Sequence, residues 1–479
     1  MGAIAGNNVN SVSGLLKRWY RDGGVVLTTF TDRPYWAMIT KKADSSQVEG
    51  TTFQFAIQTN DVQSRNVVFT SAQAQAQGLS AYSTSVFSST TGGPPQVGNI
   101  GVTQFSVPRV LNYAYATIST ELQLSSRTKK GAFDSAVTRI TDSALNVLGN
   151  DQEISLFGGS VTSSGISTAS TGFISVMVAP TNVASAGGAL YLQYAFDSNR
   201  FSVGQELDLY FNNSGTITKR TNIAGNGLFV GSIDRTQGIL YIVNAAGAAI
   251  AINTVFSTAA TGDFICVSND FNQGAATGLS GTAKILGFES WVPFGGPVAD
   301  SNSNLYCGVN RNLGDVTRLA GNWLDATGAI GPTAGTTLNI EDTLITSTQI
   351  VAMQSSKEID TFAMNYNQFT KLLKSNVART IVENKTNIPN LSFKGLEVVT
   401  ATGPAMVMPD RFCGVNRVFG LYMPAWSYIH LGDPVEMYAL DGNSGLREAN
   451  LDAQAFRFFS FGNSVCDEPN ANITVNITP

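Results

Sequence analysis

Residues 51–60 read TTFQFAIQTN and residues 101–110 read GVTQFSVPRV. In the first stretch Phe53, Phe55 and Ile57 alternate with Thr52, Gln54, Ala56 and Gln58, the period of two that marks a half-buried strand. Between the two stretches run AQAQAQG (72–78) and STSVFSSTTGGPPQVGN (83–99), in which Gly92–Pro95 mark a turn. A second strand over Val102–Val107 returns alongside the first, so the spacing predicts a long hairpin with a polar tip. It carries too few large apolar residues for a core of its own, and a two-stranded ribbon is marginal in isolation. Its support is expected to come from outside it.

Downstream of the hairpin, residues 125–157 read SSRTKKGAFDSAVTRITDSALNVLGNDQEISLF. Phe133, Val137, Ile140, Ala144 and Leu148 recur at steps of four and three, one face of a helix, with Asp134, Arg139 and Asp142 off that stripe. Gly149 is the expected end or kink. From Gly172 to about Phe288 the period falls to two: Phe201, Val203, Leu207, Leu209 and Phe211, then GLFVGSIDRTQGILYIV, which predicts two strands around a turn at Arg235–Gly238. This part reads as an inserted domain of short antiparallel strands. Its greasiest stretch, Tyr241 to Phe256, is too short to span a bilayer and reads as buried strand.

Helices return after SWVPFGGP. Ile340, Leu344, Thr348 and Val351 mark one, IDTFAM reads as a buried strand, and Asn365 is an N-cap for a helix carrying Phe369, Leu372 and Leu373. The order predicts an α+β fold. At the end of the chain ANITVNITP alternates polar and β-branched residues, so a strand is expected to run almost to Pro479, where chains usually fray. At the other end Leu15, Leu16, Trp19 and Tyr20 lie beside Lys17, Arg18 and Arg21, a short amphipathic piece of the kind that lies on a membrane, though with so few turns docking on its own protein or a neighbour is the favoured reading.

With 29 Lys and Arg against 34 Asp and Glu, the formal charge is −5, and no basic run marks a nucleic-acid grip. Only 13% of residues are charged, about half the usual share. MGAIAGNNVNSV lacks a basic leader and an apolar run, so synthesis in the cytoplasm is expected. The four cysteines, Cys266, Cys307, Cys413 and Cys466, are far apart and read as buried thiols rather than a metal set or a disulfide framework. His430, the one histidine, stands among aromatic and apolar neighbours in AWSYIHLGDP and reads as structural. There is no Gly-x-Ser-x-Gly elbow and no Gly-x-x-x-x-Gly-Lys-Ser/Thr loop. No catalytic, cofactor or metal residue is assigned. A carboxylate pair such as Asp263 and Asp270 stays open beside a reading of both as turn residues.

The order of hairpin, AFDSAVTRITDSALNVL, IDTFAMNYNQFTKLLKS and the closing segment from EMYALDGNSGLREANLDAQAF to its end resembles the major capsid protein of tailed bacteriophages, the Hong Kong 97 fold. FSVGQELDLYF, GSIDRTQGILYIV and TGDFICV are similar to the β-insertion of some such shells. The resemblance implies an N-terminal arm (1–45), an extended loop (46–118), a spine helix with peripheral domain (119–171), a β-rich insertion (172–290), an axial domain (291–440) and C-terminal peripheral strands (441–479). It implies a non-enzymatic shell protein, with no cofactor and no membrane, in a virion capsid and in host cytoplasm during assembly. Partners implied are further copies in pentamers and hexamers, scaffolding, portal and decoration proteins, and loosely enclosed double-stranded DNA. Candidate inter-subunit contacts are Trp19, Phe53, Phe55, Phe69, Tyr82 and Phe87. Two rival readings remain: a surface adhesin or carbohydrate-binding protein that uses 172–288, and an enzyme with an unrecognised carboxylate pair.

Overall fold

A computed structural model describes residues 32–42, 52–60, 101–125, 136–158, 180–182, 188–213, 216–221, 227–256, 259–260, 263–268, 270, 284–297, 305–375, 396–437, 446–447 and 452–478. After β1 (Thr40–Lys42), the predicted ribbon pairs β2 (Thr52–Asn60) antiparallel with β3 (Gly101–Pro108). Phe55 stands opposite Phe105 and Phe53 opposite Val107, so the apolar side chains share one face. Thr52, Gln54, Ala56 and Gln58 are exposed on the other. Phe105 and Val107 are buried in the largest core, with Trp291 at 5.5 Å from Phe105 and Tyr306 edge-on to Trp291. Ser106 N–H also donates to Cys307 O at 2.8 Å. The base of the ribbon is therefore supported from outside the hairpin by its own chain, rather than by a second copy as the capsid resemblance implies; residues 61–100 lie outside the described residues.

Past Arg109 the chain continues as β4 (Val110–Ser119) and, after a short turn of helix, the long helix Ala136–Leu156. Ile140, Ala144 and Leu148 are buried on the predicted stripe against Ala114, Ala116 and Ile118 of β4; Phe133 is outside the described residues. The helix runs through Gly149 without ending there. A Cβ at this position would collide with the Arg33 guanidinium, whose Nη2 donates to Asn146 Oδ1 at 2.7 Å. Glycine costs a helix about 1 kcal/mol relative to alanine, and here it lets a second segment cross close to the axis.

The insertion is one antiparallel sheet of β5 (Pro180–Asn182), β6 (Ala189–Leu192), β7 (Glu206–Asn213), β8 (Thr216–Lys219), β9 (Leu228–Asp234), β10 (Ile239–Val243) and β11 (Phe264–Val267). Its order is β11-β7-β9-β10-β6-β5, with β8 on β7. Leu190, Phe201, Leu209, Val230, Leu240 and Ile265 belong to its own core. The turn falls at 235–238 as expected. Tyr241–Phe256 is not one strand: β10 ends at Val243, a turn follows, and Ile252–Val255 is helical. Asn244 stops the strand, because its Oδ1 accepts from the N–H groups of Ala246 and Ala248 and nucleates the turn.

The remaining strands are β12 (Asn322–Asp325), β13 (Thr361–Asn365), β14 (Leu396–Val399), β15 (Pro404–Asp410), β16 (Arg417–Leu421), β17 (Trp426–His430), β18 (Glu436–Met437), β19 (Leu446–Arg447), β20 (Ala453–Cys466) and β21 (Ile473–Asn476). IDTFAM is buried as predicted, and Asn365 caps the helix Tyr366–Lys374 by accepting from Asn367 N–H at 3.0 Å. Ile340–Gln354 forms the other helix, with Leu344, Thr348 and Val351 buried. Both helices cover a sheet of order β12-β21-β16-β13-β15-β14.

The long β20 belongs to a different sheet, between β4 on one side and β17, β18 and β19 on the other. Residues 441–479 thus do not form a single set of peripheral strands. β20 lies in the helix-backed sheet, whereas β21 crosses into the centre of the neighbouring sheet, parallel to β12 and antiparallel to β16. β17 likewise leaves the 291–440 unit to pair with β20.

Asn472 fixes the crossing. Fully buried, it accepts from the Trp426 indole and the Tyr422 amide, both at 2.9 Å, and donates to Glu468 O at 2.8 Å. Asn472→Ala strands two buried donors, each worth about 1–3 kcal/mol when unmade. It should lower unfolding free energy by roughly 2–4 kcal/mol, read as a drop in the urea midpoint at unchanged slope.

Candidate assembly surface

In β4 the residues Asn112, Ala114, Ala116 and Ile118 point toward the long helix, so Leu111, Tyr113 and Tyr115 must point the other way. They are 59%, 61% and 44% exposed. Register places Leu111, Tyr113 and Tyr115 beside Phe461, Phe459 and Arg457 of β20. Tyr113 meets Phe461 edge-on at 5.7 Å, Phe459 stacks on Phe461 at 4.5 Å, and the Arg457 guanidinium lies 5.7 Å from the Tyr115 ring. The sheet thus carries apolar side chains on both faces: one is covered by its own helix, and on the other Leu111, Tyr113 and Tyr115 are exposed beside the buried Phe459 and half-buried Phe461. Contiguous exposed apolar surface of this kind marks a contact site in a soluble chain. Among the described residues β4 pairs with β20 alone.

A polar network holds this sheet, the helix and the insertion in fixed relation. Lys284 Nζ bridges Asp151 of the long helix and, at 3.2 Å, Asp270, which follows β11. Arg200 Nη2 donates to Phe412 O at 3.0 Å from the insertion side. A cavity of about 290 Å³ remains between them, with Asn112, Arg200, Arg235 and Lys284 in its wall. Beneath the ribbon, Arg311 is buried with its guanidinium 3.6 Å from the Tyr306 ring centroid and donates to the carbonyls of Ser290 and Trp291.

Of the six contact candidates, Phe53 and Phe55 are described, and they meet within the chain rather than at its outer surface. Phe55 stacks on Phe105 at 5.3 Å and lies 5.9 Å from Trp291, and Phe53 is 6.0 Å from Phe55; both are half-buried on the main core. Trp19, Phe69, Tyr82 and Phe87 lie outside the described residues. Leu111, Tyr113, Tyr115 and Phe461 were not singled out from the sequence. The signal was present in VLNYAYATIS, a strand apolar at odd and even positions alike.

Groups weighed for chemistry are engaged structurally. His430 is buried, stacks on Tyr428 at 5.9 Å and donates from Nδ1 to Gly432 O at 2.8 Å. Asp263 is paired to Arg220 through two hydrogen bonds of 2.5 and 2.6 Å, and Asp270 takes part in the Lys284 bridge. The four cysteines are buried and form no disulfide. Among the described residues no group of three or more His, Cys, Asp or Glu side chains is placed to hold a metal, and no helix is long and apolar enough to cross a membrane.

Replacing Lys284 with Met leaves Asp151 and Asp270 facing one another without their shared cation. The carboxylates keep some solvent, so the cost is below that of a fully buried pair, about 1–3 kcal/mol. It should appear as a lower thermal midpoint together with faster proteolysis in the 172–290 insertion.

No protein-family model and no curated protein matches this chain. Solved structures do. The chain is similar to one described as the cyanophage A-1(L) capsid asymmetric unit, at 10% identity and a TM-score of 0.47, over 95% of this chain and 95% of that one. It is similar to the capsid of a native GTA particle, at 8% identity and a TM-score of 0.44 over 99% of each chain. A chain from Mycobacterium phage Ogopogo matches at 9% identity and a TM-score of 0.40, over 99% of this chain and all of that one.

Proposed function

We propose that this chain is the structural major capsid protein of a tailed bacteriophage, many copies of which assemble through pentamers and hexamers into the icosahedral shell of the virion. The observation that carries the reading is the exposed set Leu111, Tyr113 and Tyr115 of β4, on a strand continuous with the ribbon and backed by the long helix. Among the described residues β4 pairs with β20 alone and shows Leu111, Tyr113 and Tyr115 to the outside. Many moderate contacts of this kind add cooperatively when a symmetric assembly closes.

In this reading the ribbon beyond Asn60 lies on a neighbouring copy, with Trp19, Phe69, Tyr82 and Phe87 as contact residues. Phe53 and Phe55 contribute only the ring edges their own core leaves uncovered. The domain scheme is kept with two changes, β17 joining the helix-backed unit and β21 the neighbouring one. Scaffolding, portal and decoration proteins are further partners, and the double-stranded DNA inside is enclosed without a basic grip, in keeping with the net charge of −5. Assembly takes place in the host cytoplasm, with no membrane, cofactor or catalytic step.

Electron microscopy of the purified protein, with a scaffolding partner where one is required, should show shells, rings or tubes. The double substitution Leu111→Glu, Tyr113→Glu alters exposed positions, so the subunit's stability should move by no more than about 0.5 kcal/mol per site. Assembly should be lost. Compact monomers from the unsubstituted protein under assembling conditions would overturn the reading.

A further inference from the structure

The cavity of about 290 Å³ is walled by three separate parts of the chain: β4, the second half of the long helix, and the insertion, which contributes the turn of helix Ala195–Arg200. Two groups in that wall have hydrogen-bonding capacity that their neighbours do not use. Asn112 of β4 is 7% exposed, and its Nδ2 has no hydrogen-bond partner among the described residues. A buried N–H left unmade costs free energy that an acceptor beside it would recover. Arg200 is the other group. Its side chain is 10% exposed, yet it makes one hydrogen bond, from Nη2 to Phe412 O at 3.0 Å, and its acid, Asp197, stands at 3.7 Å, beyond hydrogen-bond length. Most of the N–H groups of that guanidinium are therefore unspent.

The rest of the wall points to the same kind of ligand. Arg235, exposed at the turn between β9 and β10, adds a second guanidinium, which Ser198 O at 2.6 Å and Phe201 O at 3.1 Å hold in place. The acids of the wall are already engaged, because Asp151 and Asp270 both accept from Lys284. Gln205 Oε1 likewise accepts from Ser202 N–H at 2.8 Å. What the wall has left to offer is donors, and Arg200, Arg235 and Lys284 against Asp151 and Asp270 leave an excess of one positive charge. The volume is at the small end for a ligand pocket. A compact anion with several acceptor oxygens meets all three conditions.

We propose that this cavity binds a small tetrahedral oxyanion, phosphate or the phosphate of a monoester, through Asn112 Nδ2 and the guanidiniums of Arg200 and Arg235.

A guanidinium suits this ligand because its N–H groups pair with two oxygens of one phosphate at once. Asn112 belongs to β4 and Arg200 to the insertion, so the bound anion joins the helix-backed sheet to the insertion beside the Lys284 bridge. Binding should accordingly slow hydrogen exchange over residues 195–205.

Isothermal titration of the unassembled full chain with inorganic phosphate, and separately with a deoxynucleoside monophosphate, tests this at matched ionic strength in chloride. One equivalent should bind per chain; saturable binding of either supports the site, and the tighter of the two names its source. Asn112→Leu should raise Kd by about tenfold or more, the worth of one hydrogen bond to a charged group. In phosphate-free buffer the same variant should not lower the thermal midpoint, since it also removes an unmatched buried amide. Arg200→Gln should weaken binding likewise should the first variant not fold. No saturable binding of either ligand up to about 10 mM would leave only water in the cavity and overturn the proposal, as would a folded Asn112→Leu chain that binds with unchanged Kd. Because the titration is made on single chains, either outcome is independent of whether the protein forms shells.

Discussion

The last strand is the element on which the arrangement of the rest depends. β20 is locked into the helix-backed sheet by β4 and β17, and a few residues later β21 lies between β12 and β16. One continuous stretch of chain therefore belongs to two sheets, and neither sheet can turn against the other without breaking its ladder. Asn472 sits at the crossing with its hydrogen bonds divided between the chain after β16 and the start of β17. A tail that would ordinarily fray is held by backbone pairing on both sides.

That fixed frame sets the direction of the ribbon. Phe105 and Trp291 bind its base to the main core, and Arg109 alone separates β3 from β4. The open face of Leu111, Tyr113 and Tyr115 is consequently held in a constant relation to the base of the hairpin. Contacts made by a rigid surface lose less conformational entropy on association than contacts made by a mobile one. The polar outer face at the base, where Gln104 Nε2 donates to Gln54 Oε1 at 2.9 Å, leaves the aromatic contact to the strand that follows.

Features carried by local pattern were legible in the sequence: the stripe of Ile140, Ala144 and Leu148, the cap at Asn365, the turn at 235–238 and the alternating end of the chain. Features that depend on distant partners were not. Phe53 and Phe55 read as unsupported because their cover, Trp291 and Tyr306, lies some two hundred residues away, and periodicity carries no information about pairing at that range. Gly149 read as a helix end because a glycine that admits Arg33 looks the same as one that stops a helix. β21 was recognised as a strand but given to the wrong sheet, since the period of two fixes which face a residue takes and not which neighbour it pairs with. The exposed residues of β4 escaped notice for a related reason: Leu111, Tyr113 and Tyr115 alternate with residues that are themselves buried, and sequence alone does not tell which face the helix covers.

Few residues carry charge in this chain, and several that are buried stand at junctions between remote elements. Arg417 of β16 joins Glu289 at 3.1 Å and Asn476 of the tail at 2.6 Å, and Arg311 spans Ser290, Trp291 and Tyr306 beneath the ribbon. Apolar contacts at such places could be equally stabilising, but they tolerate sliding, whereas a guanidinium aimed at one carboxylate and one amide admits a single register.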